Sequence, residues 1–465
     1  MKRFFLLVLV FFTAIQMQAQ KEDSIMIKKI SDEILVNGRS YENLRYLTKQ
    51  IGGRLAGSPQ MVKAEEWGLK TMQESGADKA WMQECMVPHW VRGGEDKAAA
   101  HYNGAMKGAA NYIPKTKELN VVALGNSMGS MKQIEADVVL VNSFDELEKK
   151  KDSVKGQIVF YNYKFNDTYI NTFLAYRDAG QYRGQGPSRA AKYGAIAVIV
   201  RSLSHTTDNN PHTGATRYDS TVAAEKIPAV AIGLRDADWL SDLLKTKRVS
   251  VTMNTNGHFL PDTIGHNIIG ELRGTEFPDE IITVGGHLDS WDNCEGAHDD
   301  GAGSVQTIEI LRAFKAIGYK PKRTIRFVLF ANEENGLRGG NKYADEAKAK
   351  NEKHILAIES DAGGFTPRAL GFTGSDEQYQ KFLGWKELIA PYGCTEFNKG
   401  GGGADIGPLN RALKTPMASL NPDSQRYFDI HHSKSDVFEA VNKRELELGS
   451  VNMAALIYLV DKYGL

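Results

Sequence analysis

The sequence predicts an α/β fold that is interrupted by a smaller β-rich domain, and three observations support this expectation. From His266 onward, apolar runs of strand length alternate with helical patterns, which is typical of a sheet with parallel neighbours. From about Asn120 to Asn256, short β-rich runs follow one another and are separated by Gly, Asn, Asp and Pro. The chain has 465 residues, more than one hydrophobic core usually organises.

The first residues have the order of a secretory signal. Lys2 and Arg3 precede an apolar run at Phe4–Ile15, and the small residue Ala19 follows. This run is shorter than the roughly 20 residues that span a bilayer, and no later apolar segment has the length of a transmembrane helix. We therefore expect residues 1–19 to be a signal peptide and the mature chain to be exported to the periplasm or the extracellular space.

Helical patterns dominate the N-terminal part of the main domain, which we place at residues 20–119. Apolar residues recur at helical spacing from Ser24 to about Ala77. Glycines and a proline in Ile51–Pro59 interrupt this pattern and predict a loop. A second helix is expected at Gln60–Ser75.

The β-rich insertion is expected at residues 120–256. A short helix should precede its third strand, because Pro187 suits the first position of a helix at Pro187–Tyr193. The strands expected in the insertion are Ala136–Val141, Gln157–Tyr163, Ala195–Val200, Ala229–Ile232 and Val249–Met253.

Residues 257–465 are expected to complete the main domain. Their strand and helix patterns alternate, with a helix at Gly303–Phe314. The strands expected here are Glu280–Gly285, Thr324–Phe330 and His354–Glu359.

Side chains of metal-binding type follow all three of these strands. His287 follows the first strand, Glu333 and Glu334 follow the second, and Asp361 follows the third. Ligands bind beyond the carboxyl ends of strands in open α/β sheets, so these side chains are expected to meet in one crevice. A fourth cluster, Gly296–Gly303, lies just before a helix, and a loop there could fold back over the same strand ends.

These residue types favour zinc, which prefers imidazole nitrogen and carboxylate oxygen among the ligands on offer. A carboxylate has two oxygens, so a single Asp can bridge two metal ions. Paired ions lower the pKa of bound water towards about 7, and a free carboxylate beside the water can move its proton. The adjacent glutamates Glu333 and Glu334 suit this chemistry, because one side chain can bind a metal ion while its neighbour acts as the general base.

Each cluster alone has an ordinary explanation. A single His or Asp after a strand is most often a polar loop residue, and an Asp-Asp-Gly or Glu-Glu-Asn run is often a turn or a helix cap. His431 and His432 alone could be an exposed pair. The combination of three strand-end clusters is the stronger indication, because chance rarely produces it.

The chain resembles the co-catalytic di-zinc exopeptidases over nearly its whole mature length. The insertion resembles a protease-associated domain, on the weaker cue of Val154–Phe160. The resemblance implies a three-layer, phosphorylase/hydrolase-like zinc exopeptidase fold with a central mixed sheet, interrupted by a protease-associated domain. The motifs that carry the resemblance are Gly286–Trp291, Gly296–Gly301, Asn332–Glu334, Glu359–Gly363 and His431–Ser433.

The resemblance also implies a role for each matching residue. Asp299 would bridge two Zn²⁺ ions per chain, and Glu333 would act as the general base and acid. Asp289 would orient His287, since a carboxylate commonly orients a metal-bound imidazole. The implied metal ligands are His287, Asp299, Glu334, Asp361 and His432.

Four further positions carry expectations. Asp300 follows the bridging position, where the family often has a cis peptide, and His431 would either stabilise the oxyanion or pack. Cys294 stands where family members often carry another residue, and we expect a bystander thiol. Lys399–Asp405 resembles the family loop around a buried structural Asp and lacks the Gly-Lys-Ser/Thr pattern of a phosphate loop.

Charge and cysteine content limit the partners. The formal net charge is zero, so nothing global favours nucleic acid or an anionic membrane, and small ligands are a better expectation than polyanions. The family resemblance implies a peptide substrate. The three cysteines, an odd number, leave at least one thiol free. The insertion could cover the crevice or support a homodimer, as in relatives.

Several functions are compatible with the scaffold. An exopeptidase or dipeptidase for short peptides is preferred, and an aminopeptidase with broader length tolerance is the nearer alternative. Glutaminyl cyclase, a one-zinc transferase, is opposed by the insertion and the full set of five ligands. A receptor-like protein that has lost zinc ligands is opposed by the same five residues.

Overall fold

The computed structural model describes residues 2–105 and 112–465, with side chains from residue 20 onward. The expected signal peptide, residues 1–19, lies outside the residues whose side chains are described. Within the described part of the chain, no helix combines the length and the apolar character that crossing a bilayer requires.

The described residues form two eight-stranded sheets. The strands are β1 Lys79–Val91, β2 Lys97–Asn103, β3 Pro114–Leu119, β4 Val121–Ala123, β5 Ile134–Val141, β6 Ile158–Tyr161, β7 Ala197–Arg201, β8 Ala229–Ile232, β9 Val249–Asn254, β10 His258–Leu272, β11 Phe277–His287, β12 Arg323–Phe330, β13 Lys353–Glu359, β14 Pro367–Thr373, β15 Glu396–Lys399 and β16 Met417–Pro422.

The helices vary from one turn to several turns in length. They are α1 Lys2–Asn37, α2 Ser40–Tyr46, α3 Pro59–Glu74, α4 Phe144–Lys149, α5 Thr172–Ala191, α6 Leu234–Leu244, α7 Ala302–Ala316, α8 Arg338–Ala349, α9 Asp376–Leu383, α10 Lys386–Ile389, α11 Gly407–Leu413, α12 Tyr427–Ile430 and α13 Lys443–Tyr463. Shorter helical turns are Leu47–Ile51, Lys151–Ser153, Ala297–Gly301, Ala390–Tyr392 and Phe438–Ala440.

The main sheet is mixed, with the strand order β1-β10-β12-β11-β13-β16-β14-β15. Its centre is parallel, because β11 pairs in parallel with β12 and β13, and β13 pairs in parallel with β16. The flanking strands β10 and β14 are antiparallel to their inner neighbours. The expectation of an α/β fold with a central mixed sheet is therefore confirmed. The parallel centre places the carboxyl ends of β11, β12 and β13 at the same edge.

Helices cover both faces of the main sheet and make three layers. Successive residues of a strand point to opposite faces. On β12, Phe327 and Leu329 pack with α1, α3, α7 and α13, whereas Val328 and Phe330 pack with α8 and α11. Both faces of the central strands are therefore buried, which explains their nearly continuous apolar sequences.

The second sheet has the order β3-β2-β9-β5-β6-β7-β8-β4, and its strands lie between Lys97 and Asn254. Strands β5 to β8 pair in parallel, and β2, β3, β4 and β9 pair in antiparallel fashion. The sheet thus includes β2 and β3, which precede residue 120, where the sequence places the start of the insertion.

Pro187 was expected to begin a helix at Pro187–Tyr193, and this expected start is wrong. Helix α5 begins at Thr172 and continues through Pro187 to Ala191. A proline inside a helix removes one backbone hydrogen bond. The helix continues because residues on both sides of the proline, including Tyr182 and Ala190, are buried against the second sheet. By contrast, α3 begins one residue before the expected Gln60, with Pro59 in its first position after a Ser58 side chain that accepts a hydrogen bond from the Met61 N–H.

Candidate metal centre

The clusters after β11, β12 and β13 meet at one edge of the main sheet. Strand β11 ends at His287, which is in register with Phe330, the last residue of its parallel neighbour β12. Glu334 and Asp361 follow the ends of β12 and β13 and lie on the same side. The convergence expected from the three strand-end clusters therefore occurs.

Five side chains form two groups that share Asp299. Asp299 Oδ1 lies 3.2 Å from His287 Nε2, and Asp299 Oδ2 lies 3.0 Å from His432 Nε2. On the first side, Asp361 Oδ1 is 3.4 Å from His287 Nε2. On the second side, Glu334 Oε2 is 3.0 Å from His432 Nε2. Asp299 Oδ1 therefore faces His287, which has Asp361 beside it, and Asp299 Oδ2 faces His432, which has Glu334 beside it. His431 Nε2 also lies 3.2 Å from Asp299 Oδ2.

This donor set fits two metal ions of the zinc type. Each group offers nitrogen and oxygen from three residues, which is the usual protein share of a catalytic zinc site with one position left open. Glu334 Oε1 is buried and accepts no hydrogen bond from the described residues. A buried carboxylate oxygen without a partner is costly, and a bound cation would remove that cost.

Asp300 also lies in the cluster, but its oxygens are engaged elsewhere. Oδ2 accepts a hydrogen bond from the backbone N–H of His287 at 3.0 Å, and Oδ1 accepts one from that of Gly303 at 2.8 Å. The peptide bond between Asp299 and Asp300 is cis, as the family resemblance implied. Asp300 therefore ties the loop of Asp299 to the end of β11.

Sequence reasoning missed two buried residues that hold this loop. Asp436 accepts hydrogen bonds from the backbone N–H groups of His298 at 2.7 Å and Asp299 at 3.2 Å. Arg54 is fully buried and donates to the carbonyl of Gly296 at 3.0 Å. Neither residue follows a strand of the main sheet, so the strand-end pattern could not identify them. Arg54 does lie in a glycine-rich loop, which was the one available signal.

Asp289 supports the segment that carries the two glutamates. Its Oδ1 accepts from the backbone N–H of Glu333 at 3.0 Å, and its Oδ2 accepts from that of Glu334 at 3.3 Å. Its carboxylate is 3.7 Å from His287 Nδ1, whereas its backbone carbonyl is 3.0 Å from the same nitrogen. The carbonyl thus orients the imidazole, and the carboxylate orients the glutamates.

Glu333 faces a cavity of about 560 Å³ that Asp299, Glu334, Asp361 and His432 also line. Its carboxylate makes no hydrogen bond or ion pair with the described residues. Burial raises the pKa of Glu333 well above its ordinary value, and the charges of Asp361 and Glu334 raise it further. A carboxyl group that can hold a proton nearer neutral pH is suited to proton transfer.

The imidazoles of His287 and His432 both have carboxylates as close neighbours. Burial opposes the charged form of His287, but Asp361 and Asp299 outweigh it and raise the pKa of this imidazole well above its ordinary value. Burial also opposes the charged form of His432, but Glu334 outweighs it and raises the pKa of His432 well above its ordinary value. A metal ion that binds here must displace protons, so its affinity depends on pH.

His431 and His432 stack on each other, with ring centroids 3.5 Å apart. His431 Nε2 is 3.2 Å from Asp299 Oδ2, and burial and His432 lower the pKa of His431 well below its ordinary value. His432 has a φ of 61°, a left-handed conformation. Thr213 lies in a loop of the second sheet's domain. Its backbone N–H donates to the carbonyl of His432 at 2.9 Å, and its carbonyl oxygen lies 3.3 Å from His432 Nδ1.

The remaining expected positions lie around this centre. Cys294 places its sulfur 3.5 Å from the carbonyl of Trp291, and burial raises the pKa of its thiol well above the ordinary value. All three cysteines are free. Asp405, in the glycine-rich loop, is fully buried, and burial and Glu359 raise the pKa of its carboxyl group well above its ordinary value.

Comparison with known proteins identifies the family of this chain. The sequence profile of Peptidase family M28 matches residues 267–457. Carboxypeptidase Q from Homo sapiens is 34% identical over 424 residues, which cover 91% of this chain and 85% of that protein. Carboxypeptidase Q from Mus musculus is 33% identical over the same shares of the two chains.

Solved structures share the fold. The peptidase M28 precursor from Shewanella amazonensis SB2B is 31% identical, has a TM-score of 0.87, and covers 95% of this chain and 97% of its own. A zinc aminopeptidase from Bacillus subtilis is 20% identical and has a TM-score of 0.63 over 90% of this chain and 94% of its own. At this identity the comparison indicates a common fold and nothing further. The chain therefore belongs to peptidase family M28 and is a metallo-exopeptidase.

Proposed function

We propose that this chain is an exported exopeptidase that uses two zinc ions to hydrolyse dipeptides or short peptides. The observation that carries the proposal is the position of Asp299, whose two oxygens face two separate groups of ligand type. In this proposal His287 and Asp361 hold one zinc ion, and Glu334 and His432 hold the other.

Zinc bound in this way supplies Lewis acidity, which activates water and polarises the peptide carbonyl. Glu333 takes the proton of the attacking water, because its carboxylate lines the cavity and has no other partner. When the peptide bond breaks, Glu333 gives this proton to the departing amine. Asp289 keeps Glu333 in place, because its carboxylate accepts a hydrogen bond from the backbone N–H of Glu333.

The insertion and the export signal complete the proposal. We assign residues 1–19 to a signal peptide and the second sheet to a protease-associated domain. The contact between Thr213 and His432 supports an insertion that covers the cleft, because a loop of the second sheet then touches a metal ligand directly.

Metal analysis and peptidase assays on the purified mature chain test the proposal. We expect two zinc ions per chain, hydrolysis of Ala-Leu, loss of activity after chelation, and recovery when zinc is restored. One zinc ion per chain without peptidase activity would instead favour a cyclase. Peptidase activity that survives complete removal of metal would refute the metal-dependent mechanism.

A further inference from the structure

An asparagine of the second sheet's domain contacts the loop that carries Glu333. Asn126 lies in the turn after β4, and its side chain lines the same cavity as Glu333. Asn126 Nδ2 donates to the backbone carbonyl of Asn335 at 3.3 Å, and Asn335 Nδ2 donates to Asn126 Oδ1 at 3.1 Å. Asn335 lies two residues after Glu333 in the loop Asn332–Leu337. One side chain of the second sheet's domain therefore makes two hydrogen bonds with this loop.

The hydrogen bonds continue into the loop in one fixed direction. Asn332 Nδ2 donates to Asn335 Oδ1, and Asn332 Oδ1 accepts from the backbone N–H of Arg338 at 3.4 Å. A backbone carbonyl begins this series of amides and a backbone N–H ends it, so the orientation of all three side-chain amides is determined. Asn332 and Asn335 are buried, where a lost hydrogen bond leaves a costly unpaired group. Gly336 leaves room for the series, because a Cβ there would overlap Asn332 Oδ1.

The contact with Asn126 supports a part of the loop that the main domain does not hold in the same way. Asp289 accepts from the backbone N–H groups of Glu333 and Glu334, and this fixes the beginning of the loop. Beyond the loop itself, the Asn335 side chain makes no hydrogen bond with the described residues other than the one to Asn126. The middle of the loop therefore depends on Asn126, as its beginning depends on Asp289.

Asn126 is itself held against both domains. The N–H of the preceding Gly125 donates to the carbonyl of Gly214 at 3.1 Å, and the N–H of Thr216 donates to the carbonyl of Gly125 at 2.8 Å. Gly125 also packs directly on the ring of Trp291 in the main domain, because a Cβ at this position would overlap that ring. The turn therefore has a fixed position, from which the Asn126 side chain reaches the loop.

We propose that Asn126 is a positioning residue, which holds the loop Asn332–Leu337 so that Glu333 stands correctly beside the metal centre. The second sheet's domain thereby takes part in turnover without touching the reacting atoms. This inference rests on the proposed function. A reacting group that is misplaced by about 1 Å can cost a factor of about 10² in rate. Removal of the two hydrogen bonds should therefore slow turnover more than it weakens substrate binding.

Kinetics of Asn126→Gly on Ala-Leu test the inference. Asn126 has a φ of 63°, and glycine adopts this left-handed conformation without strain, so the variant removes the side chain and keeps the backbone. We expect kcat to fall roughly tenfold to a hundredfold, while KM and zinc content stay near their native values. A raised KM with native kcat would indicate a direct contact with the substrate and would overturn the inference. A loss of zinc that matches the loss of activity would also overturn it.

Asn351→Gly is the matched control. Asn351 also has a left-handed φ, of 51°, and is exposed just before β13, whereas the candidate metal centre lies beyond the opposite end of that strand. The control makes the same substitution in the same backbone conformation, so kcat, KM and zinc content should all remain native. An equal fall of kcat in both variants would contradict a specific role of Asn126.

A double variant tests whether the effect passes through the loop. Asn335→Ala removes the partner of Asn126, so adding Asn126→Gly to it should cause no further loss of kcat. If the two substitutions instead reduce kcat by independent factors, Asn126 does not act through Asn335 and the inference is wrong.

Hydrogen–deuterium exchange separates this inference from the proposed function, because it needs no substrate. The backbone amides of Ala331–Leu337 should exchange faster in Asn126→Gly than in the native chain, and Asn351→Gly should not change them. A general loss of stability would accelerate the central strands as well, so the difference between this segment and β12 is the informative quantity. Faster exchange confined to the segment would support the role of Asn126 even if the chain hydrolysed no dipeptide. Unchanged exchange would reject that role even in an active peptidase.

Discussion

The adjacent residues Glu333 and Glu334 provide the sharpest test of the proposed chemistry. Both are glutamates of one short segment, and Asp289 accepts a hydrogen bond from each backbone N–H. Only Glu334 reaches His432, at 3.0 Å, whereas the Glu333 carboxylate faces the cavity. The same substitution to Gln should therefore remove a proton carrier at one position and a metal ligand at the next.

For Glu333→Gln we expect turnover to fall and the metal to stay. Gln has nearly the same shape, and the backbone hydrogen bond to Asp289 does not involve the substituted side chain. General acid–base catalysis contributes roughly 10²- to 10⁴-fold, so kcat should fall by that factor, or by about 3–5 kcal/mol of activation free energy. Zinc content and thermal stability should remain native.

For Glu334→Gln we expect loss of zinc, since an amide oxygen replaces an anionic ligand. Zinc counting by mass spectrometry and steady-state kinetics on Ala-Leu, performed on both variants, give the comparison. A Glu333→Gln enzyme with native kcat would refute its role as the base. Equal zinc losses in the two variants would refute the division of labour between the neighbours.

Three other changes have defined outcomes. Asp436→Asn should weaken zinc binding in a competition titration, because Asp436 accepts from the backbone N–H groups of His298 and Asp299, and unchanged affinity would contradict this support role. Phe327→Ala should lower the free energy of unfolding by about 3–5 kcal/mol in urea, since Phe327 is fully buried, and a loss under 1 kcal/mol would be inconsistent with a packed core. Burial opposes ionisation of Glu352, but hydrogen bonds from His354 and Arg326 outweigh it and lower the pKa of Glu352 to about 2 from an ordinary value of 4.5. The resulting stabilisation is complete above about pH 4.5 and disappears as the pH falls towards 2. Glu352→Gln should therefore lower the free energy of unfolding at pH 7 and lower it much less near pH 3. An equal loss at both pH values would contradict the assignment.

Local sequence patterns were sufficient to predict the elements at the edge of the main sheet where the strand-end clusters meet. The strands before His287, Glu334 and Asp361 are continuous apolar runs that end in glycine or polar residues, and helix α7 follows the acidic loop as expected. Strand β8 has the predicted bounds, Ala229–Ile232. These elements are readable because burial on both faces requires apolar residues at nearly every position.

Local patterns misled where burial overrode them. The proline at Pro187 predicts a helix start, yet α5 runs through it because the residues around it pack against the second sheet. Strands β2 and β3 were not recognised at all, since a strand is stabilised by pairing with neighbours that lie far away in the chain. Lys97 on β2, for example, pairs with Asn254 on β9.

The sequence by itself determined the types of the candidate ligands, their order, and the strand ends that carry His287, Glu334 and Asp361. Only the tertiary structure decided how His432 reaches Asp299, and that Thr213, in a loop of the second sheet's domain, lies beside His432. The physical reason is that periodicity reports burial along one segment. Contacts between distant segments depend on how sheets and loops pack, which no single segment encodes.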